Sequence, residues 1–167
     1  DFQARKVSVV IIRAAEGSPV WSDGFDIKEL PPLHGDPLRY IDFFLNLLQV
    51  IQDYPGPVIA MVHGSALGGA FNIVMVCDIV VADETASFAV MPARLGLPPN
   101  VSGILQFMNR VGLSIAKEMF FTADPVSAER AMSIGILNHL VPPEKLLDFT
   151  MELARRITSR SALAISV

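Results

Sequence analysis

The residues with the strongest claim to chemistry here are glycines. Gly64-Ser65-Ala66-Leu67-Gly68-Gly69-Ala70 joins an apolar, β-branched run to an apolar stretch of helical character. Two adjacent glycines at a helix start leave backbone N–H groups uncovered by side chains and aligned with the positive end of the helix dipole, an arrangement suited to a developing oxyanion. The same doublet serves equally well to let a helix pack closely on a sheet. A second glycine-bearing turn, Trp21-Ser22-Asp23-Gly24-Phe25-Asp26-Ile27-Lys28-Glu29-Leu30, follows the first strand and leads towards a helix. Ligands of open parallel sheets collect where strands end and helices begin, so these two turns are the places to look for a site.

The remaining polar inventory is sparse. His34, His63, His139 and the single Cys77 are not spaced as a metal site. His63, beside Gly64, is either a base or a strand-tip residue facing a loop or a subunit contact, and the second reading is preferred. His139, between Asn138 and Leu140, reads as structural. Asp78 precedes an apolar strand, where a carboxylate needs backbone or hydroxyl donors, and reads as a brace for nearby loops. Met61, Met75 and Met91 read as core filler.

The elements that must hold these turns follow from periodicity. Residues 7–12 are almost wholly β-branched, as in a strand buried on both faces. Asp36-Pro37-Leu38 offers an N-cap with proline at the first helical position. Apolar residues Leu38, Ile41, Leu45, Leu48 and Ile51 then recur at helical spacing until Pro55-Gly56-Pro57 stops the helix before a strand at 58–62. That is one βαβ unit. A turn at 63–65, a helix over 67–77, and strands at 79–82 and 87–90 are expected next. Helices follow at 100–110, 114–121 and 127–134, the last with a Ser cap, then an extended piece at 136–141 and an amphipathic helix at 144–159.

Composition bounds the answer. The chain has 167 residues, the size of one domain, and is 51% hydrophobic but only 18% charged, so much of its surface is expected in a core or between subunits. A net charge of −4 without a basic run disfavours nucleic acid. A lone cysteine in an apolar stretch fits a buried thiol in a reducing compartment. No uninterrupted apolar stretch reaches the roughly 18 residues that span a bilayer, so a cytoplasmic protein is expected, with no membrane partner. A buried strand so near the first residue, with no initiator Met, reads as part of a domain whose N-terminal portion lies elsewhere.

The segments SDGFDIKEL, PGPVIAMVHGSALGGAFNIVMVCDIVVADETASFAV and FTADPVSAERAMSIGILNHLV together resemble the crotonase (enoyl-CoA hydratase/isomerase) superfamily. GSPVWSDGFDIKELP, HGSALGGAFN, RLGLPPNVSGI and AMSIGILNHLV are most similar to its methylmalonyl-CoA decarboxylase branch. The resemblance implies an α/β fold, a crotonase-type spiral of ββα units with sheets inside and helices outside. Residues 1–167 would form a single partial domain, without the first strands and last helices of a full-length member. It also implies an acyl-CoA substrate, with coenzyme A as part of the substrate and no separate cofactor, and a homotrimer or dimer of trimers.

In that family the thioester oxygen receives two backbone N–H bonds, which the resemblance assigns here to Phe25 and Gly69, with Gly68 beside them. It sets the coenzyme A adenine against the backbone of Asp23, Phe25 and Ile27. Lys28 is either near the phosphates or a solvated lysine. His34, in Pro31-Pro32-Leu33-His34-Gly35, falls in a loop that would cover the acyl pocket. Hydratases of the family use two glutamates, and the matching positions here are Asn72 and Ala93, neither of which can act as a general base. Decarboxylation needs no base and survives these changes. The decarboxylase branch tends to carry His at the position of Phe25 and Tyr at that of Pro99. Phe25 still has its N–H, but Pro99 has neither hydroxyl nor amide, and the two side chains together would make an apolar wall. Arg94, the cation nearest Ala93, would meet a substrate carboxylate or a neighbouring subunit. Hydratase or isomerase activity, and a non-catalytic acyl-CoA-binding subunit, stand as alternatives.

Overall fold

In the computed structural model, residues 7–26, 38–96 and 101–165 are described, with side chains throughout except at 38–42 and 101–102. The β-branched run near the start forms β1 (Val10–Arg13), somewhat later than its sequence suggests. Register explains the shift. β1 pairs parallel with β2 (Val58–Val62) from Val10 opposite Val58, and the amide of Val10 donates to the carbonyl of Pro57 at 3.0 Å. Proline has no N–H to extend that ladder. Between the two strands runs α1 (Leu38–Gln52), the helix expected from the apolar spacing; its cap residues Asp36 and Pro37 lie outside the described residues.

After β2 come β3 (Ser65–Leu67), α2 (Gly69–Val76), β4 (Ile79–Asp83) and β5 (Ser87–Ala89). The short strand β3 corrects the expected helix start at residue 67. Ser65–Leu67 is held extended by parallel pairing with β5, and the helix begins only after Gly68 turns the chain with φ +54°. Beyond it lie α3 (Pro92–Leu95), α4 (Val101–Val111), α5 (Leu113–Thr122), β6 (Val126–Ser127) and α6 (Ala128–Ser133). The Ser127 hydroxyl caps α6 by accepting from the amide of Arg130, as its sequence led one to expect. Last are β7 (His139–Val141), a 3-10 turn at Pro143–Lys145, α7 (Leu146–Thr158) and α8 (Ala162–Ile165). β7 starts later than residue 136 because the amides of Ile136 and Leu137 both turn back to the carbonyl of Ala131. The pieces α3, β6 and α8 are too short to leave a periodic signal.

β1, β2, β4 and β7 form one parallel sheet in the order β1-β2-β4-β7, and β3, β5 and β6 a second sheet. Alternation along the parallel strands sorts their side chains between two cores. Val58, Ala60, Val62, Val80 and Ala82 face the larger core with α2, α4 and α5. Ile59, Met61 and Val81 face the other side against Leu146 and Ala154 of α7. All five residues of β2 are buried, which accounts for its unbroken apolar run. Phe71, buried on α2, meets Phe88 of β5 and Phe107 of α4 at ring-centroid distances of 5.2 and 4.9 Å. This aromatic chain fixes α2 on the sheets.

Candidate functional site

The two glycine turns meet. Ser22 adds to the edge of β3: its amide donates to the carbonyl of Ser65, and its carbonyl accepts from the amide of Leu67, both at 3.0 Å. Just upstream, the buried indole of Trp21 donates to the carbonyl of Met61 at 2.9 Å, tying the turn to the core of the parallel sheet. Residues 23–25 are thereby delivered to the N-terminus of α2. The approach is close enough to require glycine. A Cβ on Gly24, which has φ +87°, would stand 2.6 Å from the carbonyl oxygen of Leu67 and 3.1 Å from the amide nitrogen of Gly69. The absence of a side chain on Gly24 is what permits this approach to the start of α2.

Gly68 and Gly69 have different tasks. Gly68 adopts φ +54°, which favours glycine, and its amide is already used, donating to Ala89 at 2.9 Å. Gly69 is the first residue of α2, where an N–H has no intrahelical acceptor. Among the described residues its amide has no partner. Of the doublet, only Gly69 can offer a donor to a ligand. Its missing side chain matters separately, since a Cβ there would lie 2.6 Å from Cε2 of Phe25. The ring of Phe25 thus rests on the Cα of Gly69 and meets the ring of Phe44 edge-on, centroids 4.6 Å apart.

Other expected site residues are placed less centrally. The Asp23 carboxylate, exposed, accepts from the Ser65 hydroxyl at 3.4 Å. Asn72, one turn into α2, is half-buried, and its side chain has no hydrogen bond among the described residues. Ala93 is exposed on α3, and its neighbour Arg94 pairs with Asp124 at 3.1 Å, both side chains exposed. Ile27, Lys28, His34 and Pro99 lie outside the described residues.

The family model for enoyl-CoA hydratase/isomerase matches residues 2–167. The chain belongs to the enoyl-CoA hydratase/isomerase family. Among its relatives in that family, methylmalonyl-CoA decarboxylase of Escherichia coli is 43% identical over the whole of this chain and 64% of the relative. The human mitochondrial enoyl-CoA hydratase domain-containing protein 3 is 38% identical over the whole chain and 55% of the relative. A crystal structure of methylmalonyl-CoA decarboxylase complexed with 2S-carboxypropyl CoA superposes with a TM-score of 0.91 at 42% identity, covering 98% of this chain and 65% of that one. The fold is the crotonase fold, and the chain spans between about half and two thirds of the length of these relatives.

Sequence reading located the turn at residues 21–25 but missed what Trp21, Gly24 and Phe44 do to build it. Gly24, Trp21 and Phe44 left no signal beyond their types, because their roles depend on contacts across more than 15 positions. At the far end of α2, Arg110 Nη1 donates to the carbonyls of Met75 and Cys77 at 3.1 and 3.0 Å, satisfying carbonyls the helix cannot. Burial lowers the pKa of this guanidinium. Asp78 is a brace as expected, although exposed: its carboxylate accepts from the amide of Val58 at 2.7 Å. His63 faces the loop, its Nε2 2.7 Å from the carbonyl of Ser18. The Cys77 thiol is buried, and burial pushes its pKa up to about 12. The His139 ring meets that of Phe149 at a tilt of 60°, centroids 4.9 Å apart. A separate pocket of about 330 Å³, bordered by Met119, Ser127 and Arg130, contains none of the expected site residues. Among the described residues no group of three or more acidic, His or Cys side chains could hold a metal, and no helix is long and apolar enough to cross a membrane.

Proposed function

We propose that the protein acts on a coenzyme A thioester through an enolate, and that its reaction is decarboxylation of methylmalonyl-CoA or a similar malonyl-type thioester. The observation that supports this reading is the close approach of Gly24 to the helix start, which brings the Phe25 segment beside Gly69, whose amide has no partner among the described residues. In the proposal the amides of Phe25 and Gly69 both donate to the thioester oxygen, with the Asp23 segment against the adenine. Breaking the bond between the carboxylate and the α-carbon sends its electron pair towards that oxygen. Two fixed donors then stabilise the enolate more than the ground state. CO2 leaves, and a proton taken up at the α-carbon gives the saturated acyl-CoA.

This route needs no base to make the carbanion, in keeping with Asn72 and Ala93 where hydratases carry glutamates. The 43% identity to methylmalonyl-CoA decarboxylase also favours it. Hydration of an enoyl thioester is the second reading, supported by the hydratase name of the human relative. A coupled CO2-release assay on malonyl- and methylmalonyl-CoA, beside spectrophotometric turnover of crotonyl-CoA, tests both. Release of CO2 without crotonyl-CoA turnover is expected, and the opposite pattern would replace decarboxylation by hydration. Assembly as a trimer or a pair of trimers belongs to the same proposal. Exposed Phe43, Val50, Phe121 and Leu163 supply apolar surface for it, and light scattering reads it directly.

A further inference from the structure

Phe25 carries two separable functions on one residue. Its backbone belongs to the turn facing α2, whereas its ring is gripped on two sides. One side lies on the Cα of Gly69, with Cε2, Cδ2 and Cζ at 2.6, 3.0 and 3.3 Å from the position a Cβ would take. The other meets Phe44 in an edge-to-face contact with an interplanar angle of 78°, a geometry that aromatic quadrupoles favour. Phe44 itself is only 6% exposed and packs with Leu48 of α1 and Val76 of α2, so it is anchored in two helices. Phe25 as a residue remains 37% exposed.

We propose that this aromatic pair sets acyl-chain selectivity: Phe25 is the wall beside the Gly69 amide, and Phe44 is the positioning residue that keeps the ring there. The inference rests on the thioester-binding reading above. In this proposal a carbonyl oxygen on the Gly69 amide turns its α-carbon, not its sulfur, to the ring that lies against Gly69. An apolar α-substituent gains contact there, while a longer chain collides with a ring that cannot retreat because Phe44 stands behind it. The chemical class selected is therefore a short acyl thioester with a small apolar substituent.

The test is a series of calorimetric titrations of the chain with acetyl-, propionyl-, butyryl- and hexanoyl-CoA, using wild type, Phe44→Ala, Phe44→Leu and Phe25→Ala. Wild type is expected to prefer the short chains. Phe44→Ala should move the hexanoyl-to-propionyl affinity ratio by about tenfold or more towards hexanoyl, in the range that one or two methylenes command in an apolar pocket. Phe25→Ala should move it the same way, and Phe44→Leu, which keeps more bulk, should shift it less. A role confined to packing would weaken all four ligands alike and leave the ratio where it was. That outcome in folded Phe44→Leu and Phe25→Ala samples would overturn the selectivity wall while leaving thioester binding intact. Failure of wild type to bind any of the four would instead remove the thioester reading, and the wall with it.

Discussion

The two ends of α2 are built on opposite plans. At its C-terminal end the carbonyls of Met75 and Cys77 are held by the guanidinium of Arg110, and the adjoining Asp78 is bonded to Val58. At its N-terminal end no side chain among the described residues caps the helix: Gly68 precedes it without a cap bond, and the Gly69 amide has no acceptor among those residues. A helix that served only to cover the sheet would gain from a cap at both ends, since an N-cap side chain contributes about 1 kcal/mol. One end of the helix is thus left open while the other is braced, and the proposed function puts the developing negative charge of the thioester oxygen at the open end.

The sharpest way to break this comparison is Gly69→Pro. Proline is tolerated at a first helical position, but it removes the amide at its source, and its ring atoms also press on Phe25. Turnover should fall by at least about 10²- to 10³-fold, the usual cost of one oxyanion donor. Circular dichroism on the same sample establishes that α2 still forms. A folded Gly69→Pro protein with normal turnover would remove the donor assignment.

Breaking the other end should damage stability instead of chemistry. Arg110→Met leaves the carbonyls of Met75 and Cys77 without their charged donor, a loss of about 2 kcal/mol. At this chain length that is a fall of roughly 4 to 8 °C in Tm. Acyl-CoA affinity measured well below the transition should be retained. If affinity collapses while Tm holds, the two ends are coupled in a way the geometry does not explain.

How far the sequence revealed this asymmetry depends on the range of the interaction. The parallel strands were legible because an unbroken apolar run is a local signal, and Pro55 and Pro57 set the start of β2. The glycine doublet was legible as a place, but not in its division of labour. That Gly68 uses its amide on Ala89 while Gly69 keeps its own becomes visible only when β5 lies beside the turn. Arg110 and Phe44 act across 33 and 19 residues on Cys77 and Phe25 respectively, so neither had a local pattern to announce it. β3 was read as the end of a turn running into a helix that starts at residue 67, because Ala66 and Leu67 suit either state and only pairing with Ser22 and β5 decides.

Asn72→Ala sharpens the open end. Asn72 sits on the first turn of α2, half-buried and without a side-chain hydrogen bond among the described residues, so its removal leaves no partner stranded. If the reaction needs no base at this position, turnover should change by no more than a few-fold in the CO2-release assay. A loss comparable to that of Gly69→Pro would mean that the carboxamide handles the substrate directly, and the decarboxylation scheme would need a role for it.

The smallest expected effect lies at the braced end, in Cys77. Burial is the largest influence on its thiol and raises the pKa to about 12, outweighing the downward pull of Arg110. The folded state therefore favours the neutral thiol. Its contribution to stability is fully present below about pH 9, where the unfolded thiol titrates, and is lost as pH rises from there towards 12. Near pH 8 the native chain should resist iodoacetamide, because the thiolate is the nucleophile and almost none is present, while the chain in denaturant should be alkylated readily. Cys77→Ala should leave Tm nearly independent of this group between pH 7 and 9, and remove its share of the alkaline decline above that. Rapid labelling of the native protein at pH 8 would show that the C-terminal end of α2 opens far more often than a helix closed by Arg110 should.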